Sequence, residues 1–243
     1  MSYNIRSGNG NLDSTAAAIR AERPDVVGLQ EVDVRWAERS GFANQAAELG
    51  EKLGMNVRFA FIYRIPSKQR RRGPREFGVA LLSRYPILGF RNETLTRLST
   101  QDSNATPTPM PGLLEASLDV RGTQVTVFDT HLDYRRDPSV RTAQVGEMLA
   151  FIKKIDGPVI VFGDLNAKPD APELQPLLQQ LHDAWSGNSD AGFTYPAEAP
   201  NERIDYVLVS PHFRVRSARA PATQASDHRP VVVDLVLDAS RKK

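Results

Sequence analysis

Hydrophobic positions recur along the chain in two patterns, one with the spacing of a helix and one in short runs typical of strands. The clearest helix is predicted over residues 139–155, where five apolar side chains fall on one stripe: Val145, Met148, Leu149, Ile152 and Ile155. Three further helices are predicted, one capped by Asp13 or Ser14 and running to Arg23, one over residues 43–53 that stops at Gly54, and one over residues 172–181.

Short apolar runs between these helices predict strands. They include the buried runs Val26–Leu29 and Val159–Phe162, an N-terminal strand at residues 2–6, and runs at 57–63, 78–83, 114–120, 124–130, 193–195, 204–209, 213–217 and 231–237. The tripeptide Arg121-Gly122-Thr123 is a short hairpin loop, and residues 99–112 are predicted to form a long loop. Consecutive strands with short turns cannot all be parallel, so mixed sheets with outer helices fit best.

Composition narrows the class of protein. The 243 residues are 40% hydrophobic and 25% charged, which is ordinary for a soluble globular chain, and we expect one domain over residues 1–243. The chain has no cysteine, which excludes disulfides, zinc–thiolate sites and thiol nucleophiles. A net charge of +2 gives no general argument for binding nucleic acid.

Positive charge is concentrated in residues 64–75, which include Arg70, Arg71 and Arg72. This run is either a solvated loop or a rim that attracts a phosphate-bearing substrate. No apolar run reaches the roughly 18–20 residues that a membrane helix needs, and no leader pattern is present. Met1 directly precedes a predicted strand, which is compatible with a leader or a first half-strand upstream, so the sequence leaves the compartment open.

Several predicted strands end in a polar cluster rather than in a neutral turn. The positions concerned are Glu31, His131 with Asp133, Asp164 with Asn166, Asp205 at the head of a strand, and Asp227 with His228 before the last strand. This recurring placement is the main indication of a functional site.

The segment Asp164-Leu165-Asn166 has two interpretations. In an extended chain, residues two apart share a face, so Asp164 and Asn166 would point into one pocket while Leu165 packs behind them. Alternatively, the segment is an Asx turn that ends the strand before Lys168-Pro169.

Glu31 follows four largely apolar strand residues, and a buried carboxylate needs a cation or a hydrogen-bond donor. Arg35 is one possible partner. With Asn4, Asp164 and Asp227 as further oxygen donors, a hard divalent cation is the other, and oxygen-only ligation is typical of Mg²⁺ or Mn²⁺. The chain lacks a His-Glu-x-x-His motif and has no cysteine, so zinc is a poor candidate.

The chain has four histidines. His182 and His212 are predicted to be surface or capping residues, whereas His131 and His228 each lie among carboxylates. A neighbouring aspartate suits a histidine to act as a general acid or as a phosphate-binding cation. Because the chain lacks a Gly-x-Ser-x-Gly elbow and a Walker loop, metal-assisted attack by water is favoured over a covalent intermediate.

Taken in order, these motifs resemble the endonuclease/exonuclease/phosphatase superfamily, in its deoxyribonuclease-like and neutral sphingomyelinase-like branches. The resemblance rests on seven segments from residue 2 to residue 230: Ser2–Arg6, Leu29–Val32, Gly78–Pro86, Thr130–Asp133, Gly163–Asn166, Arg203–Tyr206 and Ser226–Pro230. It implies a four-layer α/β/β/α sandwich of two mixed, mostly antiparallel sheets with outer helices.

The resemblance also implies roles for individual residues. Asn4, Glu31 and Asp227 would surround Mg²⁺ or Mn²⁺. Asp164 would orient or deprotonate water, and Asn166 would hold the phosphate. His228, steadied by Asp205, would bind or protonate phosphoryl oxygens, and His131 would be a second imidazole on the phosphate.

Two features depart from relatives. Val79 stands where many carry asparagine, and Thr130–Asp133 replaces the tyrosine motif of the apurinic endonucleases. Glu76 is the predicted acidic partner of His131.

The sequence thus predicts a metal-dependent phosphoester hydrolase, with a phosphodiesterase preferred. A sequence-nonspecific endonuclease and a non-catalytic binding module on the same fold are the alternatives. The substrate class is left open among phospholipid head groups, small-molecule phosphoesters and nucleic acid, and we expect a monomer.

Overall fold

The α-helices of the described residues lie between Leu12 and Gln180, and strands are distributed along the chain. In a computed structural model, which describes residues 1–67 and 73–238, the α-helices are α1 (Leu12–Glu22), α2 (Gln45–Leu53), α3 (Ser139–Ile152) and α4 (Gln175–Gln180). The strands are β1 (Ser2–Asn4), β2 (Val26–Val34), β3 (Asn56–Ile65), β4 (Arg75–Ser83), β5 (Ile87–Arg97), β6 (Thr108–Val120), β7 (Thr123–His131), β8 (Val159–Asp164), β9 (His182–Asp183), β10 (Asp205–Val209), β11 (Phe213–Arg219) and β12 (Val232–Leu237). None of the described helices is long and apolar enough to cross a membrane.

The strands form two main sheets. One has four strands in the order β1-β2-β4-β3, and the other has six in the order β5-β6-β7-β8-β10-β9. Each contains one parallel pair, β1 with β2 and β7 with β8, while the remaining neighbours are antiparallel. Strands β11 and β12 form a separate antiparallel ribbon. The predicted mixed, mostly antiparallel sheets are therefore confirmed.

Alternating side chains in the strands produce the layers. In β4, Val79 and Leu81 pack between the two sheets, whereas Ala80 and Leu82 belong to the cluster formed with α1 and α2. A third cluster joins α3 and α4 to the outer face of the six-stranded sheet. Burying one such side chain contributes about 1.5–3 kcal/mol, so each face of each sheet is a separate source of stability. The result is the predicted α/β/β/α sandwich.

One strand prediction was wrong, and one long strand was missed. Residues 193–195 form no strand, since Tyr195 makes an isolated bridge with Glu202. Strand β5 was not predicted, because it lies at the edge of its sheet and most of its side chains are exposed or half-buried, which weakens the apolar pattern. Strand β6 begins at Thr108, so it includes the end of the predicted loop 99–112.

The helix boundaries agree with the pattern to within three residues, and the first cap differs. Asn11 is the residue whose side-chain oxygen accepts a hydrogen bond from the backbone N–H of Ser14, at 3.1 Å. The predicted caps, Asp13 and Ser14, lie inside the first turn instead. At the other end Arg23 adopts a left-handed conformation and ends the helix before Pro24.

Candidate active site

Three neighbouring strands of the six-stranded sheet meet at one edge through polar residues. His131, the last residue of β7, is the register partner of Asp164, the last residue of β8. Asp164 is in turn the partner of Asp205, the first residue of β10. Because β7 and β8 are parallel and β10 is antiparallel to β8, two strand ends and one strand start coincide there. The topology thus aligns three of the sequence-predicted site residues in one row.

Asp164 lies at the centre of this row and is 1% exposed. Its Oδ2 atom accepts a hydrogen bond from Nδ2 of Asn4, at 2.9 Å, and Asn4 belongs to the other sheet. The Nε2 atoms of His131 and His228 lie 3.5 and 3.8 Å from the same oxygen. A buried carboxylate is stable only with such donors around it, and Asp164 therefore joins residues of both sheets.

Glu31 lies in a β-bulge rather than at a strand end, which corrects the prediction. Strand β2 continues to Val34, and its register with β4 shifts between Leu29 and Val32. Glu31 has a φ of +56°, a left-handed conformation that is strained for a residue with a Cβ. The bulge turns Glu31 toward the cluster, where its Oε1 accepts a hydrogen bond from Asn4, at 3.1 Å. Bulges of this kind often direct a side chain into an active site.

Two partnerships considered from the sequence, Arg35 with Glu31 and Glu76 with His131, are wrong. Arg35 forms an ion pair with Glu76, at 3.5 Å, and not with Glu31. Glu76 also pairs with Arg64, at 2.8 Å, so it is not the acidic partner of His131. The carboxylate beside His131 is Asp164. Among the described residues Glu31 has no ion pair, which leaves its partly exposed carboxylate available to a cation.

Asn4 holds the acidic cluster together through its amide nitrogen. Nδ2 donates to both Glu31 and Asp164, while Oδ1 accepts a hydrogen bond from the backbone N–H of Arg6, at 3.0 Å. Turning the amide over would place its oxygen against two carboxylates and its nitrogen against another donor. In this arrangement Asn4 therefore orients the two acids, and its direct ligation of a metal stays a prediction.

His228 and Asp205 form a buried pair. Nδ1 of His228 lies 2.9 Å from Oδ2 of Asp205, and the two residues are 5% and 1% exposed. Burial lowers the pKa of His228, but the charge and hydrogen bond of Asp205, together with Asp164 and Asp227, raise that pKa to about 10. An imidazolium fixed in this way is a hydrogen-bond donor at neutral pH, and its free Nε2 faces Asp164.

The segment after β8 follows the turn interpretation at its backbone. Asn166 has a φ of +49°, and its N–H donates to Oδ1 of Asp164 at 3.0 Å. Of the two interpretations of this segment, the turn is therefore the one observed, and the extended arrangement is wrong. Nδ2 of Asn166 donates to the carbonyl oxygen of Leu132, next to His131. Leu165 packs into the core behind the site, as predicted.

The residues present fit a hard divalent cation. Asp227, whose side chain is 29% exposed, accepts a hydrogen bond from Ser226 and lies 3.4 Å from Nε of Arg6. Together with Glu31 it supplies partly exposed carboxylate oxygens, the donors that Mg²⁺ and Mn²⁺ prefer. Ligand atoms of Asp164, Asp205 and His228 also lie within 4.8 Å of one another. A protonated His228 has no free lone pair, so Asp164 and Asp205 are the remaining donors of that group, and ligation by Glu31 and Asp227 stays a prediction.

Sequence reasoning missed one neighbour of the site and misplaced another residue. The ring of Tyr195 lies 4.8 Å from that of His228, a contact for which the sequence offers no signal because 33 positions separate the two. His212 is buried, with Nδ1 3.0 Å from Oγ of Ser210, and so it is not a surface residue, whereas His182 is exposed as predicted. The predicted rim residues Arg70, Arg71 and Arg72 lie outside the described residues.

Curated relatives of this chain match part of its length. A protein named UPF0294 of Vibrio vulnificus strain CMCP6 is 27% identical over 162 residues, which are 63% of this chain and 54% of the relative. The chain thus spans about half the length of that curated relative.

Solved structures share the fold over nearly the whole chain. An endonuclease/exonuclease/phosphatase of Beutenbergia cavernae DSM 12333 gives a TM-score of 0.72 at 24% identity, covering 97% of this chain and 70% of that one. A mannosyl-6-phosphatase of Bacteroides thetaiotaomicron VPI-5482 gives 0.71 at 18% identity, covering 97% and 98%. At these identities the likeness shows the fold alone.

The sequence itself carries the family assignment. Residues 1–228 match the profile of the Endonuclease/Exonuclease/phosphatase family, a range that includes every described member of the cluster around Asp164. The family is named for enzymes that hydrolyse phosphoesters. This chain belongs to the endonuclease/exonuclease/phosphatase family.

Proposed function

We propose that the protein is a phosphodiesterase that hydrolyses a phosphate ester by in-line attack of water, with Mg²⁺ or Mn²⁺ bound at Glu31 and Asp227. The observation that carries the proposal is the position of Asp164, a buried carboxylate flanked by the Nε2 atoms of two histidines and fixed by Asn4. A carboxylate held in this way can accept a proton from water while the imidazoles face the phosphate.

The proposed reaction assigns a role to each residue around Asp164. Water bonds to phosphorus and gives its proton to Asp164 as the bond from phosphorus to the leaving oxygen breaks. His228, kept protonated by Asp205, donates a hydrogen bond from Nε2 to the leaving oxygen and transfers that proton to it as its bond to phosphorus breaks. His131, whose Nε2 lies 3.5 Å from Oδ2 of Asp164, binds a phosphoryl oxygen. The bound cation would neutralise charge on the phosphate in the transition state.

Two clefts lined by residues of this centre favour a diester over a monoester. A cavity of about 200 Å³ is lined by Glu31 and His131. A more open cleft of about 340 Å³ is lined by Arg136, Asn166 and Lys168. A diester has a substituent on each side of its phosphorus atom, and the two clefts would each accept one.

The decisive experiment is hydrolysis of bis(p-nitrophenyl) phosphate by purified protein with Mg²⁺ and Mn²⁺. We expect activity that EDTA abolishes and that Asp164→Asn lowers by at least roughly 100-fold, because the variant has no general base. The matched control is Asp119→Asn, which alters a carboxylate in the β6–β7 hairpin, at the end of β7 opposite to His131. Full activity of Asp164→Asn would refute the assignment of Asp164, and activity that persists in EDTA would refute the metal requirement.

A further inference from the structure

A buried hydrogen bond joins the two sheets close to the proposed active site. Nε2 of Gln30, in β2, donates to Oδ1 of Asp129, in β7, at 2.6 Å, although 99 positions separate the two residues. Both side chains are completely buried. Because β2 belongs to the four-stranded sheet and β7 to the six-stranded sheet, this bond fixes one sheet against the other.

On the six-stranded sheet, the bond lies in the same row of side chains as His131. Val125 and Val127 of β7 pack between the two sheets. Residues two apart in a strand share a face, so Asp129 and His131 continue that row. Two residues of a strand span roughly 7 Å, which places Asp129 directly behind the histidine that contacts Asp164.

On the four-stranded sheet, the bond holds the segment that carries the other half of the site. Gln30 directly precedes Glu31, in the stretch where the register between β2 and β4 shifts. Gln30 is also the register partner of Asn4 in β1. The position of Gln30 therefore affects both residues that reach from this sheet toward Asp164.

Stability does not explain why two polar residues lie at this point of the core. Oδ2 of Asp129 and Oε1 of Gln30 are buried and have no hydrogen-bond partner among the described residues. Buried acceptors without a partner destabilise a fold, and two apolar side chains of similar shape would avoid that cost. Departures of this kind are expected where a residue serves function rather than stability.

The site needs a second fixed point between the sheets. Within the site, Nδ2 of Asn4 donates to Oδ2 of Asp164 across the sheets, at 2.9 Å. One contact of this kind leaves the sheets free to pivot about it. A second contact behind it, between Gln30 and Asp129, removes that freedom.

We propose that Gln30 and Asp129 are positioning residues, whose hydrogen bond fixes the distance between Glu31 on one sheet and His131 and Asp164 on the other. The proposal rests on the proposed function and adds to it two residues that touch neither water nor phosphate. A displacement of about 1 Å between reacting groups can lower a rate by roughly 100-fold. A bond that prevents such a displacement therefore contributes to turnover without contacting the substrate.

The principal test is the double variant Gln30→Met/Asp129→Leu, which replaces both partners with apolar side chains of similar size. We expect kcat for bis(p-nitrophenyl) phosphate to fall by roughly 30-fold, with KM within about threefold of the native value. The urea midpoint should be no lower than that of the native protein, because no polar partner is left alone in the core.

Gln30→Met alone separates positioning from stability. It removes the same hydrogen bond but leaves the carboxyl group of Asp129 buried without its donor, so its urea midpoint should be lower than that of the double variant. Its kcat should nevertheless fall by the same factor, because either substitution breaks the bond and the losses do not add. Asp129→Asn keeps an oxygen that can accept from Gln30 and should retain at least about a third of the native kcat.

The matched control is His212→Leu. It removes another buried polar contact, in which Nδ1 of His212 lies 3.0 Å from Oγ of Ser210. This contact lies just beyond the end of β10 opposite to Asp205, so the variant should keep the native kcat.

Four kinetic outcomes would overturn the proposal. They are a native kcat in the folded double variant, a native kcat in Gln30→Met, and a fall as large as that of the double variant in either Asp129→Asn or His212→Leu. The first two would show that the bond is not needed. The last two would trace the loss to the charge of Asp129 or to any disturbance of the core.

A measurement without turnover distinguishes this proposal from the proposed function. The NMR signal of Cε1–H of His131, assigned by its loss in His131→Gln, should shift in the double variant and stay in place in Asp129→Asn. An unmoved signal in the double variant would overturn the positioning role. A shifted signal in a protein that hydrolyses no phosphoester would instead support that role and refute the proposed function.

Discussion

His228 and Asp205 are joined by a 2.9 Å contact between Nδ1 and Oδ2, although 23 positions separate them in the sequence. Asp205 is the first residue of β10, whereas His228 lies in the segment before β12. The contact leaves Nε2 of His228 as the ring atom that faces Asp164. Orientation and protonation of the imidazole therefore both depend on Asp205.

Asp205→Asn should lower kcat/KM for bis(p-nitrophenyl) phosphate by roughly 100-fold, within the range for loss of a positioned acid–base group. The amide preserves the shape of the side chain but removes the charge that keeps His228 protonated. Steady-state kinetics measure the loss, and circular dichroism should show a folded variant. A decrease smaller than about threefold would show that the charge of Asp205 is not needed.

Binding of Mg²⁺ should stabilise the fold. An ion present at 100 times its Kd adds about 2.7 kcal/mol, which for a domain of this size corresponds to a rise in Tm of roughly 5–10 °C. Glu31→Gln should lose most of this rise, since it removes a proposed ligand, whereas Glu38→Gln, at an exposed position outside the site, should retain it. Differential scanning calorimetry with and without Mg²⁺ gives the comparison, and an equal rise in Glu31→Gln would exclude Glu31 as a ligand.

Much of the row at the sheet edge could be predicted from the sequence. Strands are short and apolar, so a polar residue that ends one is visible, as at His131 and Asp164. The superfamily resemblance then supplied the order and roles of these positions. The four-layer fold followed from the same resemblance and from the alternation of residues in strands such as β4.

Features that depend on register or on long-range contact could not be predicted. At the bulge that contains Glu31, the register between β2 and β4 shifts, and the local sequence pattern carries no information on strand pairing. The cavity lined by Glu31 and His131 is also lined by Arg97 of β5 and Gln144 of α3. These elements come together only in the folded chain. His212 was misplaced because its burial results from the contact with Ser210 and from the neighbouring strands.

Stability should fall as pH rises through the titration of Asp129. This carboxylate is completely buried and accepts a hydrogen bond from Nε2 of Gln30, at 2.6 Å, while its Oδ2 has no partner among the described residues. Burial raises the pKa of Asp129 well above its usual value. The folded state therefore binds a proton that the unfolded state has already lost, and stability decreases between the unfolded pKa, about 4, and the raised folded value.

Asp129→Asn should remove this dependence and raise the free energy of unfolding at pH 7 by roughly 1–3 kcal/mol, the usual cost of an uncompensated buried polar group. The amide keeps an oxygen that can accept from Gln30 and carries no charge. Urea unfolding from pH 5 to pH 8 measures the slope, with Asp170→Asn as an exposed control. Parallel slopes for the native protein and Asp129→Asn would contradict the prediction.

The two sheets approach each other closely where Gly28 of β2 faces Phe162 of β8. A Cβ atom at Gly28 would lie 2.5 Å from Cβ of Phe162, closer than carbon atoms can pack. Gly28→Ala should therefore separate the sheets locally and lower the free energy of unfolding by roughly 1–3 kcal/mol, the cost of overpacking a core.

The matched control is Gly89→Ala in β5, where the added Cβ would meet nothing within 4 Å. It should change stability by less than about 0.5 kcal/mol. Because Gly28 is close in sequence to Glu31, and Phe162 is close to Asp164, the same displacement should also reduce phosphodiesterase activity. Urea unfolding and hydrolysis kinetics of both variants test this prediction. A Gly28→Ala protein as stable and as active as Gly89→Ala would contradict it, because the sheets could then move apart without disturbing the carboxylates between them.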